Sequence, residues 1–136
     1  MSRLHHVQVF CPAGGDEAAR SFWVDALGLI EVAKPEPLQE RGGCWFRSYD
    51  AQGDVTAEIH VGVEPDFQPA RKAHPALVVD DLDAVARSLR EGGHPVDLTD
   101  RDTYPGYERL HTADPHGNRV EILQSRRPGA PEVHNC

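Results

Sequence analysis

The sequence predicts an α+β fold made of two tandem βαβββ modules, and three observations point to it. The hydrophobic period switches between two and 3.6 in the same order twice along the chain. Ala19-Arg20-Ser21-Phe22 in the first helical stretch matches Ala86-Arg87-Ser88-Leu89 in the second. A strand bearing His6 opens one unit, and a strand headed by His74 opens the other.

Each element has a local cause. Leu4 to Cys11 alternates as a strand and stops at Pro12. Asp16 is the expected N-cap of a helix to about Leu27, with Phe22 and Trp23 on its core face and Gly28 as its stop. Leu29 to Ala33 is a strand, and Pro35 and Pro37 turn the segment up to Gly43 into an irregular loop. Strands Cys44 to Tyr49 and Val55 to Val63 flank a hairpin turn, Asp50 to Asp54. After a linker, Glu64 to Lys72, the order repeats. It runs through a strand His74 to Val79, a helix Leu82 to Glu91, and strands Pro95 to Thr99, Tyr107 to Ala113 and Arg119 to Gln124.

The 136 residues suit a single domain, with modules 4–63 and 73–124 and a flexible tail over 125–136. Neither unit of about 60 residues closes a core by itself. The net charge of -8 argues against nucleic acid and anionic membrane as partners. Three cysteines make a disulfide scaffold improbable, with Cys11 and Cys44 read as buried thiols. No apolar run is long enough for a membrane span, so the reading is a cytoplasmic protein with a small-molecule ligand.

Eight histidines are the unusual feature. His6 and His74 fall on the first strands of the two units, and His60 and Glu121 on the last. Imidazole and carboxylate donors suit zinc, nickel, iron, manganese or cobalt. Glu121 is the most informative, because a carboxylate in an apolar strand is costly unless paired or ligated. His5 competes with His6, and strand alternation would let only one of them line the site.

Leu4-His5-His6-Val7, the segment Ala73 to Asp80, and above all Asp114-Pro115-His116-Gly117-Asn118-Arg119-Val120-Glu121 resemble the vicinal oxygen chelate superfamily. That superfamily includes glyoxalase I, fosfomycin-resistance enzymes, extradiol dioxygenases and bleomycin-resistance proteins. The resemblance spans about residues 4 to 124. It implies a curved mixed sheet around a metal or ligand cleft, with His6, His74 and Glu121 as ligands and His60 as a fourth. At His60 the bacterial type of glyoxalase I has a glutamate with an acid-base role. The histidine leaves a two-carboxylate proton shuttle incomplete unless Glu58, on the same strand face, substitutes. The catalytic candidates are therefore Glu121, His60 and Glu58.

Trp45, Arg47, Tyr107 and Arg109 are candidate substrate-binding residues, and His111 lies near them. Two functions follow. One is a homodimeric metalloenzyme with glyoxalase-like lyase or isomerase, or dioxygenase, chemistry on a small oxygenated substrate. The other is a metal-free protein that sequesters an antibiotic, as bleomycin-resistance proteins do. Retention of all four ligand positions favours the enzyme.

Overall fold

The computed structural model describes residues 1–126 of the chain. Its first module comprises β1 (Val7–Cys11), α1 (Asp16–Arg20) running into a π-helical segment (Ser21–Ala26), β2 (Ile30–Val32), α2 (Glu36–Gln39), β3 (Cys44–Tyr49) and β4 (Val55–Val63). The second comprises β5 (Ala76–Val78), α3 (Leu82–Glu91), β6 (Tyr107–Ala113) and β7 (Arg119–Ser125). The ranges expected for β3, β4, α3 and β6 match these residue for residue.

Four departures have local causes. The first helix is capped from Gly15, not Asp16, and widens after Arg20, where the Leu27 N–H bonds the Phe22 carbonyl five residues back. The wide turn carries Phe22, Trp23 and Ala26 into the core together. The proline-broken loop holds the short helix α2, because Pro37 sits in its first turn, where a missing N–H costs nothing. Pro95 to Thr99 is not a strand. Pro95 has no N–H to donate and the Asp97 carboxylate is turned onto the Thr99 N–H, leaving one bridge between Asp97 and His111. Ser125 closes β7 and the Arg126 N–H bonds the Gly106 carbonyl, so both are ordered parts of the fold; the rest of the expected tail lies outside the described residues.

Pairing repeats between the modules. The first sheet has the order β1-β4-β3-β2 and the second β5-β7-β6. In each, the first strand lies parallel to the last, and the last is antiparallel to the one before it. The matched helical residues are also equivalent in packing, since Ala19 and Phe22 are buried as Ala86 and Leu89 are. Ser88 Oγ donates to the Ala26 carbonyl, joining α3 to the π-helical segment.

One apolar cluster runs through both modules, from Cys11, Phe22, Trp23, Phe46 and Ile59 to Leu82, Leu89, Leu110, Val120 and Ile122. Burial raises the Cys11 thiol and pushes Cys44 up to about 12, with Asp16 adding to both, so these two cysteines are packing residues. Gly43, at φ +87°, immediately precedes β3, and a Cβ there would lie 2.1 Å from the Val61 carbonyl oxygen; only glycine fits. Among the described residues, no helix is long and apolar enough to cross a membrane.

Before β7, Asp114 Oδ1 accepts from the His116 and Asn118 N–H groups and Gly117 takes φ +88°. Asn118 Nδ2 donates back to Asp114 Oδ2 and across to the Phe10 carbonyl. The turn that launches Glu121 thus also ties the second module to β1.

Candidate functional site

Alternation along β4 sends Ile59 and Val61 into the apolar core and Glu58 and His60 to the opposite face. Register places Trp45 opposite His60 and Arg47 opposite Glu58. His60 Nε2 lies 2.7 Å from Glu58 Oε2, and Arg47 Nε donates to Glu58 Oε1 at 2.6 Å. Burial alone would raise Glu58, but the bonds from His60 and Arg47, with the arginine charge, hold its carboxyl below the usual range. Burial lowers His60, outweighing Glu58. The pair is therefore a neutral imidazole donating its Nε2–H to an ionised carboxylate.

His60 is sandwiched. The Trp45 ring stacks on one side at 3.9 Å and the His6 ring stacks on it at 4.1 Å. His5 is also present, with its Nδ1 3.0 Å from His6 Nδ1, and ligand atoms of His5, His6 and Glu58 all lie within 4.8 Å of one another. The alternation argument does not separate His5 from His6, because β1 begins only at Val7 and both precede its pleat.

The second sheet repeats the design. Ala76 and His111 pair with Glu121 from either side, and His74 lies just ahead of β5. His74 Nε2 is 3.0 Å from Glu121 Oε1, His111 Nε2 is 3.6 Å from the same oxygen, and Arg109 Nη1 is 3.4 Å from Oε2. Glu121 is only 6% exposed. Each module thus holds its buried glutamate with an arginine from the neighbouring strand, Arg47 on Glu58 and Arg109 on Glu121. Tyr107 is on β6, its ring edge-on to Tyr104.

The sequence-derived residues therefore gather in two groups. His6, His60, Glu58, Trp45 and Arg47 share one sheet face; His74, Glu121, Tyr107 and Arg109 belong to the other sheet. Among the described residues, the clusters of three metal-competent side chains are His5, His6 and Glu58, and His74, His111 and Glu121. His111 was undecided from sequence, and its cross-strand pairing with Glu121 was the missing information.

The Glu121 cluster has the donor spacing of a divalent-ion site. Donors about 2.0–2.2 Å from one ion are separated by about 3.0–3.4 Å, and the 3.0 and 3.6 Å spacings around Glu121 Oε1 lie at that scale. Tautomer chemistry is more telling. His74 Nδ1 donates to the Lys72 carbonyl oxygen at 2.6 Å, which leaves Nε2 facing a carboxylate oxygen 3.0 Å away. A shared proton or a metal cation between the nitrogen and the oxygen accounts for that spacing. A backbone carbonyl that accepts the far ring N–H is also a usual outer partner of a metal-binding histidine.

The profile of the Glyoxalase/Bleomycin resistance protein/Dioxygenase superfamily matches residues 3–122. Among solved structures, a glyoxalase family protein from Bacillus anthracis is 38% identical, with 93% of this chain and 97% of that one covered and a TM-score of 0.81. TnmS3, an antibiotic binding protein from Streptomyces sp. CB03234, is 24% identical over 92% of this chain and 98% of its own, with a TM-score of 0.63. Lactoylglutathione lyase from Agrobacterium tumefaciens is 19% identical over 96% and 98%, with a TM-score of 0.64. The last two are alike in fold alone. No curated protein matches. With the profile covering nearly the whole chain and a relative of high identity sharing its fold, the chain belongs to the Glyoxalase/Bleomycin resistance protein/Dioxygenase superfamily.

Proposed function

We propose that the chain is a cytoplasmic, metal-dependent enzyme of this superfamily, acting on a small substrate with vicinal oxygens by glyoxalase-like lyase or isomerase, or dioxygenase, chemistry. The observation that carries the reading is the convergence of His74 Nε2 and His111 Nε2 on Glu121 Oε1, at 3.0 and 3.6 Å, with His74 Nδ1 2.6 Å from the Lys72 carbonyl oxygen. His74 and Glu121 supply one half of the ligand set, and His6 with Glu58 the other. The homodimer belongs to the proposal, with module one of each copy set against module two of its partner; it is supported by the placement of the two donor clusters, among the described residues, on separate sheets.

The sequence offers His60 as a fourth ligand or a nearby acid-base group, and its stacking supports a positioning task. A metal lies in the ring plane of an imidazole that binds it. Rings stacked 4.1 Å apart and only 16° from parallel cannot both aim at one ion, so His6 binds and His60 orients. His60 holds Glu58 ionised and turned inward, where it accepts a proton from the substrate carbon. Glu121, buried beneath Arg109, is the second carboxylate of the pair. Trp45 covers the site from β3. A bound zinc, nickel, iron, manganese or cobalt ion would supply a Lewis acid for the substrate oxygens.

The test is turnover by protein loaded in turn with each metal. Methylglyoxal plus a thiol should give a thioester, or a catechol under oxygen a ring-cleaved product, and His74→Ala should give neither. Absence of turnover with every metal, together with stoichiometric bleomycin binding by the metal-free chain, would overturn the enzyme in favour of the sequestering protein.

A further inference from the structure

Resting on that reading and deepening it, the structure assigns a substrate class to the site. Beside His60 and Trp45 is a cavity of about 280 Å³, close to the lower end of the range for small-ligand sites. Its apolar walls are Phe10, Leu38, Trp45 and Val63. Gly62 forms part of its floor, where a Cβ would lie 2.6 Å from Gln8 Nε2 and 3.0 Å from the Phe10 ring; glycine lets both side chains lie down there.

Two cations enter this cavity from the segment between β2 and β3, Lys34 and Arg41. Arg47 and Arg109, the arginines the sequence offers for an anion, are already neutralised by Glu58 and Glu121. Neither Lys34 nor Arg41 has a carboxylate within ion-pair distance among the described residues, although Glu36 and Glu40 are in the same segment. Lys34 Nζ donates to the Gly42 carbonyl, which anchors the half-buried ammonium at the cavity wall and leaves two of its donors available. Arg41, an exposed residue at the cavity's edge, keeps its full fork of donors, suited to a planar carboxylate. In a chain of net charge -8, a pocket lined by apolar side chains and two cations without carboxylate partners favours an anion.

We propose that this cavity binds the anionic end of an aryl carboxylic acid, with the carboxylate between Lys34 and Arg41 and the ring among Phe10, Leu38 and Trp45. The reactive end of the substrate then points past His60 toward Glu58.

Calorimetric titration of the full-length protein with phenylacetate and with its neutral isostere phenylacetamide tests this, in the presence and absence of a chelator. Phenylacetate should bind about tenfold or more tightly than the amide in both conditions, the scale of charge-assisted hydrogen bonds. In Lys34→Met/Arg41→Gln the preference should vanish while melting temperature and metal content stay at wild-type values. Equal affinity for acid and amide, no binding of either, or a preference that survives the double substitution overturns the assignment. A preference present only without chelator also overturns it, because the carboxylate would then be bound by metal. Metal content measured on the same samples keeps the two claims apart, since a metal-free protein that retains the Lys34- and Arg41-dependent preference contradicts the enzyme reading alone.

Discussion

Glu121→Ala is expected to weaken divalent metal binding by more than about 100-fold. The floor for this magnitude comes from outer partners, whose loss from a metal site costs roughly 10- to 100-fold; removing the ligand itself costs more. Glu121 is the convergence point of its sheet, with His74 at 3.0 Å, His111 at 3.6 Å and Arg109 at 3.4 Å from its two oxygens. Arg109→Met provides the graded comparison. It leaves the carboxylate in place but removes its holder, so the expected loss is about 10- to 100-fold. Competition titration with a chromophoric chelator measures both. Wild-type affinity in Glu121→Ala, or an equal loss in the two variants, contradicts the assignment of Glu121 as a ligand.

Phe22→Ala is expected to cost about 3–5 kcal/mol of folding stability, the usual range for deleting a buried phenyl ring. Set against a total of about 5–15 kcal/mol for a domain, this threatens the native state itself. Phe22 is fully buried, edge-on to Trp23 at 5.0 Å and to His94 at 5.1 Å. His94 belongs to the second module, so the ring bonds the modules as well as filling the first. The expectation follows that both modules melt together, in one transition at a lower denaturant midpoint. Two separate transitions in the variant, or a shift below about 1 kcal/mol, would show that the modules fold independently.

What the sequence made legible followed from periodicity. Cys44 to Tyr49, Val55 to Val63, Leu82 to Glu91 and Tyr107 to Ala113 are long, regular stretches, and each is the element its pattern announces. Local chemistry that competes with the pattern was harder to read. A π-helical turn breaks the 3.6 period after Arg20, and Asp97 spends its carboxylate on a turn where a strand was expected. For the site, the matched placement of His6, His60, His74 and Glu121 is readable because the two sheets repeat one register: Gln8 pairs with His60 as Ala76 pairs with Glu121. Ring orientation was not readable. Stacking of His6, His60 and Trp45 decides which atoms converge, and nothing in a one-dimensional pattern encodes a ring plane. The sequence leaves His5 and His111 open for related reasons, one because it precedes the strand whose alternation would choose between His5 and His6, the other because its partner lies across a pairing.

The central claim is that two half sets of ligands, one on each sheet, meet around a single ion when two copies associate. Native mass spectrometry of the metal-loaded protein across a dilution series tests it most directly. The account predicts a dimer carrying two ions, one per chain, and monomers that appear on dilution without metal. A monomer that keeps its ion, two ions per chain, or a dimer with none would contradict it.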